Sequence, residues 1–181
     1  MPAGELQNEN PQIKSSHCIP KRTKIAGPDE VNYYAGLDPI DGMGIVESAE
    51  DSTSEPFDAQ EVFDLLASIN DPEHPLTLAQ LSVVNLNDIE VVDNGRDSSV
   101  TVHITPTIPH CSMCTLIGLC IRVRLQRCLP PRFRVHVYVK KGTHASENQV
   151  NKQLNDKERV AAACENEQLL GVLNGMMSSC A

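Results

Sequence analysis

The fold is decided by SMCTLIGLCIRVRLQRCLPPRFRVHVYVK, residues 112–140, in which a helix-or-strand ambiguity precedes an unambiguous strand. Residues 121–126 alternate like a strand, yet the apolar residues within 116–127 follow a helical stripe. About sixteen residues without a turn signal favour a helix, with Ser112 as its N-cap. Residues 132–140 then alternate cleanly between apolar and polar side chains, which predicts a strand with one buried face.

Upstream of this stretch the pattern predicts one helix and two strands. Asp58 and Glu61 have the spacing of a capping box, and the apolar residues that follow predict a helix over 59–69. Two segments rich in β-branched residues, 83–92 and 99–105, flank an Asn-Gly pair, which indicates an antiparallel hairpin.

Downstream, residues 146–177 are polar and periodic in the manner of helices, with a restart or continuation at Asp156. The predicted order is therefore α-β-β-α-β-α-α. This order predicts the α+β class, a small single domain in which a three-stranded, largely antiparallel sheet is packed by helices. We place this domain at residues 57–181.

The charge of the chain is concentrated in its N-terminal part. The formal net charge is -9 at pH 7, and residues 1–56 carry ten acidic and four basic side chains. This part lacks apolar periodicity and contains many prolines and glycines, so we expect 1–56 to be a disordered acidic tail. The sequence contains no run of apolar residues of membrane-spanning length and no signal peptide, which predicts a cytoplasmic or nuclear protein without membrane contact.

The residues before the central helix carry the sharpest chemical signal. Thr-Pro-Thr-Ile-Pro-His-Cys-Ser-Met-Cys, 105–114, places Cys111 in a proline-stiffened loop at a helix start. Backbone N–H groups and a protonated His110 would stabilise a thiolate there, so Cys111 is a candidate nucleophile or soft-metal ligand. A buried, inert cysteine is the alternative. Cys111 and Cys114 also form a Cys-x-x-Cys pair, which leaves a thiol redox protein open.

Two further features suggest binding. Asp71 and Glu73 flank a proline and are candidates for acid–base or metal chemistry, although Asp-Pro-Glu is also a good helix stop. No acid occurs between Asp97 and Glu147, while basic side chains crowd into that span. A basic patch suggests an acidic partner, and the scarcity of aromatic residues favours a protein over nucleic acid. The partner-binding candidates in this span are Arg122, Arg124, Arg132 and Arg134.

Several long motifs of the predicted domain resemble the cytosolic iron-sulfur assembly component 2 family. The resemblance covers about residues 57–177, and the tail has no counterpart in these motifs. The matching stretches are EVFDLL at 61–66, INDPEHPLTL at 69–78, TPTIPHCSM at 105–113, TLIGLC at 115–120, GTHASE at 142–147 and VNKQLNDKERVAAA at 150–163.

The resemblance implies an adaptor rather than an enzyme. Family members work in a targeting complex with a WD40 β-propeller protein and, in one branch, a HEAT-repeat protein. Residues 72–77 resemble that branch, whereas Cys120 and Cys128 with residues 125–130 resemble the branch tied to iron-regulatory-protein maturation, and we favour the former. The complex delivers clusters to client apoproteins, including DNA-maintenance enzymes, which implies a link to chromosome segregation. We expect no stably bound cofactor, only a transient iron-sulfur cluster, no direct nucleic-acid binding, and leave a homodimer open.

Carried over by position, the family's reactive cysteine is Cys111, and Asp71, Glu73 and Thr107 line the same site. We add His110, the neighbour of Cys111, as a site-lining candidate. Further partner-binding candidates are Asp156, Lys157, Glu158 and Arg159. Cys114 departs from the family pattern, in which alanine is common, so ligation by two thiols or a transient disulfide stays open. A pure scaffold that binds no cluster is a further alternative.

Overall fold

The computed structural model describes residues 10–15, 19–21, 56–94 and 97–180, and the predicted order of elements is confirmed there. The chain restarts rather than continues its C-terminal helix at Asp156, which separates α3 from α4. A short 3-10 turn spans Leu86–Asp88. The elements are α1 (Ala59–Ala67), β1 (Ile89–Val92), β2 (Ser98–Ile104), α2 (Cys114–Cys128), β3 (Phe133–Val139), α3 (Glu147–Asn155), α4 (Lys157–Glu165) and α5 (Glu167–Met176).

The three strands form one mixed sheet in the order β1-β2-β3. Strands β1 and β2 form the predicted antiparallel hairpin, with Val92 opposite Ser99. Strand β3 runs parallel to β2, with Val137 opposite Val102, so the expected largely antiparallel sheet is wrong for this pair. The physical reason is the connection: α2 returns the chain along the sheet, so β3 starts at the same end as β2.

The first strand is shorter than the sequence predicted. Residues 83–88 form turns instead of strand, because the Val83 N–H donates to the Leu78 carbonyl at 2.9 Å and closes the preceding loop. Ser82 in this loop has a positive φ of 58°. Val83 and Val84 are nevertheless buried, which explains why their apolar character resembled a strand. Gly95, half of the predicted Asn-Gly turn, lies outside the described residues.

Helices α1 and α2 pack against the face of the sheet that carries the buried strand residues. The predicted capping box begins α1, since the Glu61 N–H donates to the Asp58 carboxylate at 2.7 Å and the Asp58 N–H donates back to Glu61 at 3.1 Å. The core side chains of the sheet include Val100, Val102 and Ile104. Burial of these apolar side chains is the main stabilising contribution in a domain of this size.

Helix α3 covers the outer edge of β3 through two asparagine side chains. Asn155 donates to the Val137 carbonyl at 2.8 Å and accepts from its N–H at 3.3 Å, and Asn151 accepts from the Val139 N–H at 2.7 Å. These contacts satisfy backbone groups that an edge strand otherwise leaves open to another chain. The sheet edge nearest α3 is therefore closed by the chain itself.

Part of the predicted tail contacts the domain. The Lys14 N–H donates to the Gln80 carbonyl at 2.8 Å, and its ammonium donates to Asn85 at 2.6 Å. Ile19 packs against the core and is partly buried. Residues 10–15 and 19–21 thus form a strap on the domain surface, whereas the rest of 1–55 lies outside the described residues and the disordered tail there stays a prediction.

No helix within the described ranges is both long and apolar enough to cross a bilayer.

Candidate functional site

Cys111 lies in the loop that joins β2 to α2, and the loop bends sharply around it. The Cys111 N–H donates to the Ile108 carbonyl at 3.3 Å, and the Cys114 N–H donates to the Cys111 carbonyl at 3.3 Å. The predicted cap at Ser112 is wrong, because α2 begins at Cys114 after Met113, which supplies no side-chain cap. Instead of a side-chain cap, the turn from Cys111 to Cys114 leads into the helix. It holds both thiols inside the protein, at 5% and 1% exposure.

A second loop fixes the position of Cys111, and its histidine is a site residue that the sequence analysis missed. The Ser146 N–H donates to Nδ1 of His144 at 3.0 Å, so Nδ1 is unprotonated and Nε2 carries the hydrogen. Nε2 then donates to the Cys111 carbonyl at 3.1 Å. The motif GTHASE contained this signal: Gly142 adopts a φ of 79°, which favours glycine and turns the loop toward Cys111.

The two predicted loop acids, Asp71 and Glu73, lie close enough to Cys111 for their charges to act on its thiol, and their role in one site with it stays a prediction. Asp71 is held rigidly: its Oδ1 accepts the N–H groups of Glu73 and His74 at 2.8 and 2.9 Å and contacts Nδ1 of His74 at 3.1 Å. Burial is the largest cause that raises the pKa of the Cys111 thiol, and the charges of Glu73 and Asp71 add to it. The 71–74 loop therefore places negative potential at the thiol.

The acid–base character of the thiols differs from the prediction. Burial is the largest cause that raises the pKa of Cys111 above its ordinary value of 9.0, and the N–H groups of Met113 and Cys114 only partly oppose it. His110, predicted to stabilise the thiolate, has an exposed side chain. Burial raises the pKa of Cys114 to about 12, with a smaller contribution from Cys111. The resting site thus holds neutral thiols, and the predicted thiolate is wrong for it.

Thr107 lies on the same loop in a cleft of about 440 Å³. This cleft is lined by residues of the strap, of the loop after α1 and of the 105–108 segment: Asn10, Gln12, Leu81, Ser82, Thr105, Pro106, Thr107 and Ile108. The strap therefore borders the loop that ends in Cys111. A direct role for Thr107 beside the thiol stays a prediction.

The basic stretch does not form a single patch. Arg132 pairs with Asp93 at 2.9 Å, Arg134 with Asp97 at 3.4 Å, and Lys140 with Asp88 at 2.7 Å. Asp88 and Asp93 flank β1, and Asp97 directly precedes β2, so folding pairs three of the charges that the sequence shows as unbalanced. The basic patch that the sequence suggested is therefore partly neutralised within the fold, and its role in binding a partner stays a prediction.

Arg122 and Arg124 on α2 are not free surface cations. Arg122 is 6% exposed and donates to the Leu154 carbonyl at 2.7 Å, and its desolvation lowers the pKa of the guanidinium. Arg124 is half-buried and lines a cavity of about 340 Å³ with Glu61 and Asp64. The side chains at 157–159 are exposed, and Asp156 caps α4 through the N–H groups of Glu158 and Arg159.

The site offers thiols rather than a complete metal-binding set. The six cysteines in the described part of the chain are free. Within the same residues, no three His, Cys, Asp or Glu side chains are grouped closely enough to hold a metal ion. Cys111 is a predicted ligand whose sulfur atom lies in the negative potential of nearby acids.

The fold and site together define a small α+β protein organised around a buried loop cysteine. The profile of a protein family described as "Iron-sulfur cluster assembly protein" matches residues 59–139. This chain belongs to the MIP18 family, which includes the cytosolic iron-sulfur assembly component 2 proteins. The family resemblance seen in the sequence motifs is thereby confirmed.

Three relatives show the extent of the similarity. The MIP18 family protein C144.16 of Schizosaccharomyces pombe is 65% identical over 182 residues, covering 98% of this chain and 99% of that protein. Cytosolic iron-sulfur assembly component 2B of Mus musculus is 58% identical over 130 residues, 72% of this chain and 78% of its own length. The Dictyostelium discoideum protein of the same name is 52% identical over 128 residues, 70% and 77%. The first match also extends through most of 1–56, for which the motifs gave no counterpart.

Proposed function

We propose that this protein is a component of cytosolic iron-sulfur protein assembly and acts as an adaptor in the delivery of clusters to apoproteins. The carrying observation is membership of the MIP18 family, whose mouse and Dictyostelium members are named cytosolic iron-sulfur assembly components. Assembly components work with other proteins, so the protein acts in a complex in the cytosol. It is not an enzyme in the conventional sense.

The proposed partners follow from the same resemblance. The complex contains a WD40 β-propeller protein and a HEAT-repeat protein, and its clients are iron-sulfur apoproteins of the cytosol and nucleus. Clients that maintain DNA would connect the protein to chromosome segregation. The cluster is cargo and not a resident cofactor.

The proposed chemistry starts from a neutral Cys111 thiol. Burial and the nearby charges of Asp71 and Glu73 disfavour a bare thiolate. The same negative potential favours a cation, and a bound metal ion deprotonates a coordinating thiol. When an iron ion of the cargo or of a client site approaches, the S–H bond breaks, the proton goes to water, and the sulfur donates an electron pair to iron. Cys111 is therefore masked at rest and engages only in the presence of cargo.

The framework around Cys111 supports this role. His144 holds the Cys111 carbonyl, and the Ala145 N–H donates to the Pro109 carbonyl at 2.9 Å, so two contacts join the 142–147 loop to the cysteine loop. A loop fixed in this way keeps the thiol in one position while a partner docks. The proposal assigns His144 a positioning role through the backbone and no direct contact with the cargo.

A thiol redox protein is the second candidate, because Cys111 is close enough to Cys114 to add to the effect of burial in raising the pKa of the Cys114 thiol. Redox chemistry needs both sulfurs and a thiolate that attacks, whereas the adaptor needs Cys111 alone. The pKa of about 12 for Cys114 opposes the attacking role at neutral pH. Replacing Cys114 with alanine separates the two: client maturation is retained for an adaptor and lost for a redox protein.

Anaerobic affinity purification of the tagged full chain tests the proposed assembly. We expect mass spectrometry to identify a β-propeller protein and iron-sulfur apoproteins. The matched control is Cys128→Ala, which removes a half-buried thiol at the other end of α2 and should purify with the same proteins. A chain that purifies without either class of protein would overturn the adaptor role.

A further inference from the structure

A pocket between α2 and α4 lies apart from the cysteine site and has a volume of about 410 Å³. Its lining combines two cationic side chains, one amide, one thiol and two aliphatic side chains. These are Arg122, Lys157, Gln126, Cys164, Val160 and Ala161. The pocket thus brings together two partner-binding candidates, Arg122 and Lys157, that are 35 residues apart in the sequence.

Arg122 is a buried cation without a full counter-charge. Among the described residues, its side chain forms hydrogen bonds only through Nη1, to the Leu154 carbonyl at 2.7 Å and to Oδ1 of Asn155 at 3.3 Å. Its Nε is buried and has no hydrogen-bond partner among the described residues. No Asp or Glu of the described ranges forms an ion pair with it. A buried charge without a partner is strongly unfavourable, so the arrangement favours an incoming anion.

Asp156, the acid that immediately precedes α4, is already engaged. Oδ1 of Asp156 accepts the N–H groups of Glu158 and Arg159 at 3.0 and 3.4 Å, and its Oδ2 lies 3.7 Å from Nε of Arg159. The first N–H groups of α4 are therefore taken, and a phosphate would find no free backbone cradle at this helix start. A carboxylate needs only the two cations, and Val160 and Ala161 offer an aliphatic wall for the methylene groups of its side chain.

We propose that this pocket binds a carboxylate side chain, from an acidic segment of a partner protein, between Arg122 and Lys157. The guanidinium of Arg122, which lines the pocket, donates to one carboxylate oxygen, and Lys157 at the exposed rim supplies the second charge. The pocket deepens the proposed adaptor role, since it gives the adaptor a partner surface separate from Cys111. Its binding is measured on the purified chain and does not depend on iron-sulfur chemistry.

The test is an NMR titration of the full chain that follows the Nε–H resonance of Arg122. The probe is a short peptide with blocked termini and a single glutamate, compared with the same peptide carrying glutamine. We expect the glutamate peptide to shift the Arg122 resonance and the glutamine peptide to bind at least about tenfold more weakly, because a charge-assisted hydrogen bond is lost. Equal binding of the two peptides, or no shift with either, would overturn the proposal.

Two exposed lysines provide a matched pair of variants. Lys157→Gln removes the charge at the rim of the pocket, whereas Lys152→Gln removes the same charge from α3 outside the lining. We expect Lys157→Gln to weaken the glutamate peptide by about two- to fivefold, the size of one partly exposed ion pair, and Lys152→Gln to leave it unchanged. An equal loss in both variants would show a non-specific charge effect and refute the site.

Inorganic phosphate at the same ionic strength distinguishes the other anion class. We expect phosphate to shift the Arg122 resonance only at concentrations above those of the glutamate peptide. A phosphate response at lower concentration would overturn the assignment to a carboxylate.

Discussion

Gly118 in the middle of α2 allows helix α3 to pack closely, and a Gly118→Ala substitution should destabilise the protein. A Cβ atom at this position would lie 2.5 and 2.8 Å from the two Cδ atoms of Leu154 and 3.2 Å from its Cγ. Leu154 is 1% exposed, and its carbonyl is the acceptor for Arg122. The side chain therefore cannot move aside without disturbing the contact between α2 and α3.

The magnitude follows from two opposing effects. Overpacking in a core typically destabilises by about 1–3 kcal/mol, while alanine in a helix interior is favoured over glycine by about 1 kcal/mol. The net loss in the free energy of unfolding is then about 0–2 kcal/mol, and Gly118→Ala should be about 1–3 kcal/mol less stable than expected for a glycine-to-alanine change without overpacking. Gly171→Ala in α5 is the matched control, because nothing lies within 4 Å of the added Cβ, and it should gain up to about 1 kcal/mol.

Urea denaturation followed by circular dichroism measures both variants under the same conditions. The slope of the transition should stay unchanged, so that the midpoint reports stability alone. A Gly118→Ala protein as stable as the Gly171→Ala protein would show that α2 and α3 are not packed as described, and would refute the reasoning.

Two other predictions concern the buried thiols and the strap. Because the folded pKa of Cys114 is raised from 9.0 to about 12, the unfolded chain loses this proton first, so stability should fall as pH rises from 9 toward 12. From pH 7 to pH 10, the free energy of unfolding measured by denaturation should decrease by roughly 1 kcal/mol less in Cys114→Ala than in the wild type. An identical decrease in the two proteins would contradict the raised pKa of Cys114. Ile19→Asp should release the strap and end the slow hydrogen exchange of the Lys14 amide, whereas Ile13→Asp, at a side chain that is 60% exposed, should not. Equal exchange in the two variants would show that Ile19 does not hold the strap.

The elements of the fold could be predicted from local pattern, but the direction of β3 could not be read from periodicity. An alternating segment has the same pattern in either direction, and the economical assumption for a small sheet was antiparallel pairing. The connection contained the missing information: fifteen residues of helix between β2 and β3 is the length of a crossover that makes strands parallel. The restart at Asp156 was visible as an N-cap, yet only the structure separates α3 from α4.

The candidate site was predicted in part. Adjacent sequence identifies its thiol, whereas its electrostatics depend on residues that are distant in the sequence. The loop 105–114 identified Cys111 from prolines and a helix start in adjacent sequence. The sign of its pKa shift depends on burial and on Asp71 and Glu73, which lie about forty residues upstream. The prediction from adjacent sequence considered only the helix start and His110, and neither outweighs the desolvation that raises the pKa of Cys111.

The basic stretch shows the same limit for charge. Counting along 98–146 finds no acid, but folding places β1 and its loop beside β2, and Asp93 then pairs with Arg132. The count of charges treats Arg122 as one cation among several. In the structure Arg122 differs from the other cations because it is buried. Its importance follows from its missing partner and not from the sum of charges.

The measurement that tests the central claim most directly is iron loading of a cytosolic client apoprotein in cells that depend on this chain. Cells with the Cys111→Ser variant should load the client at background level although the protein remains folded and abundant. Cys128→Ser cells should load it as the wild type does. Normal loading with Cys111→Ser would contradict the account, because the protein would then act as a scaffold in which this thiol has no role.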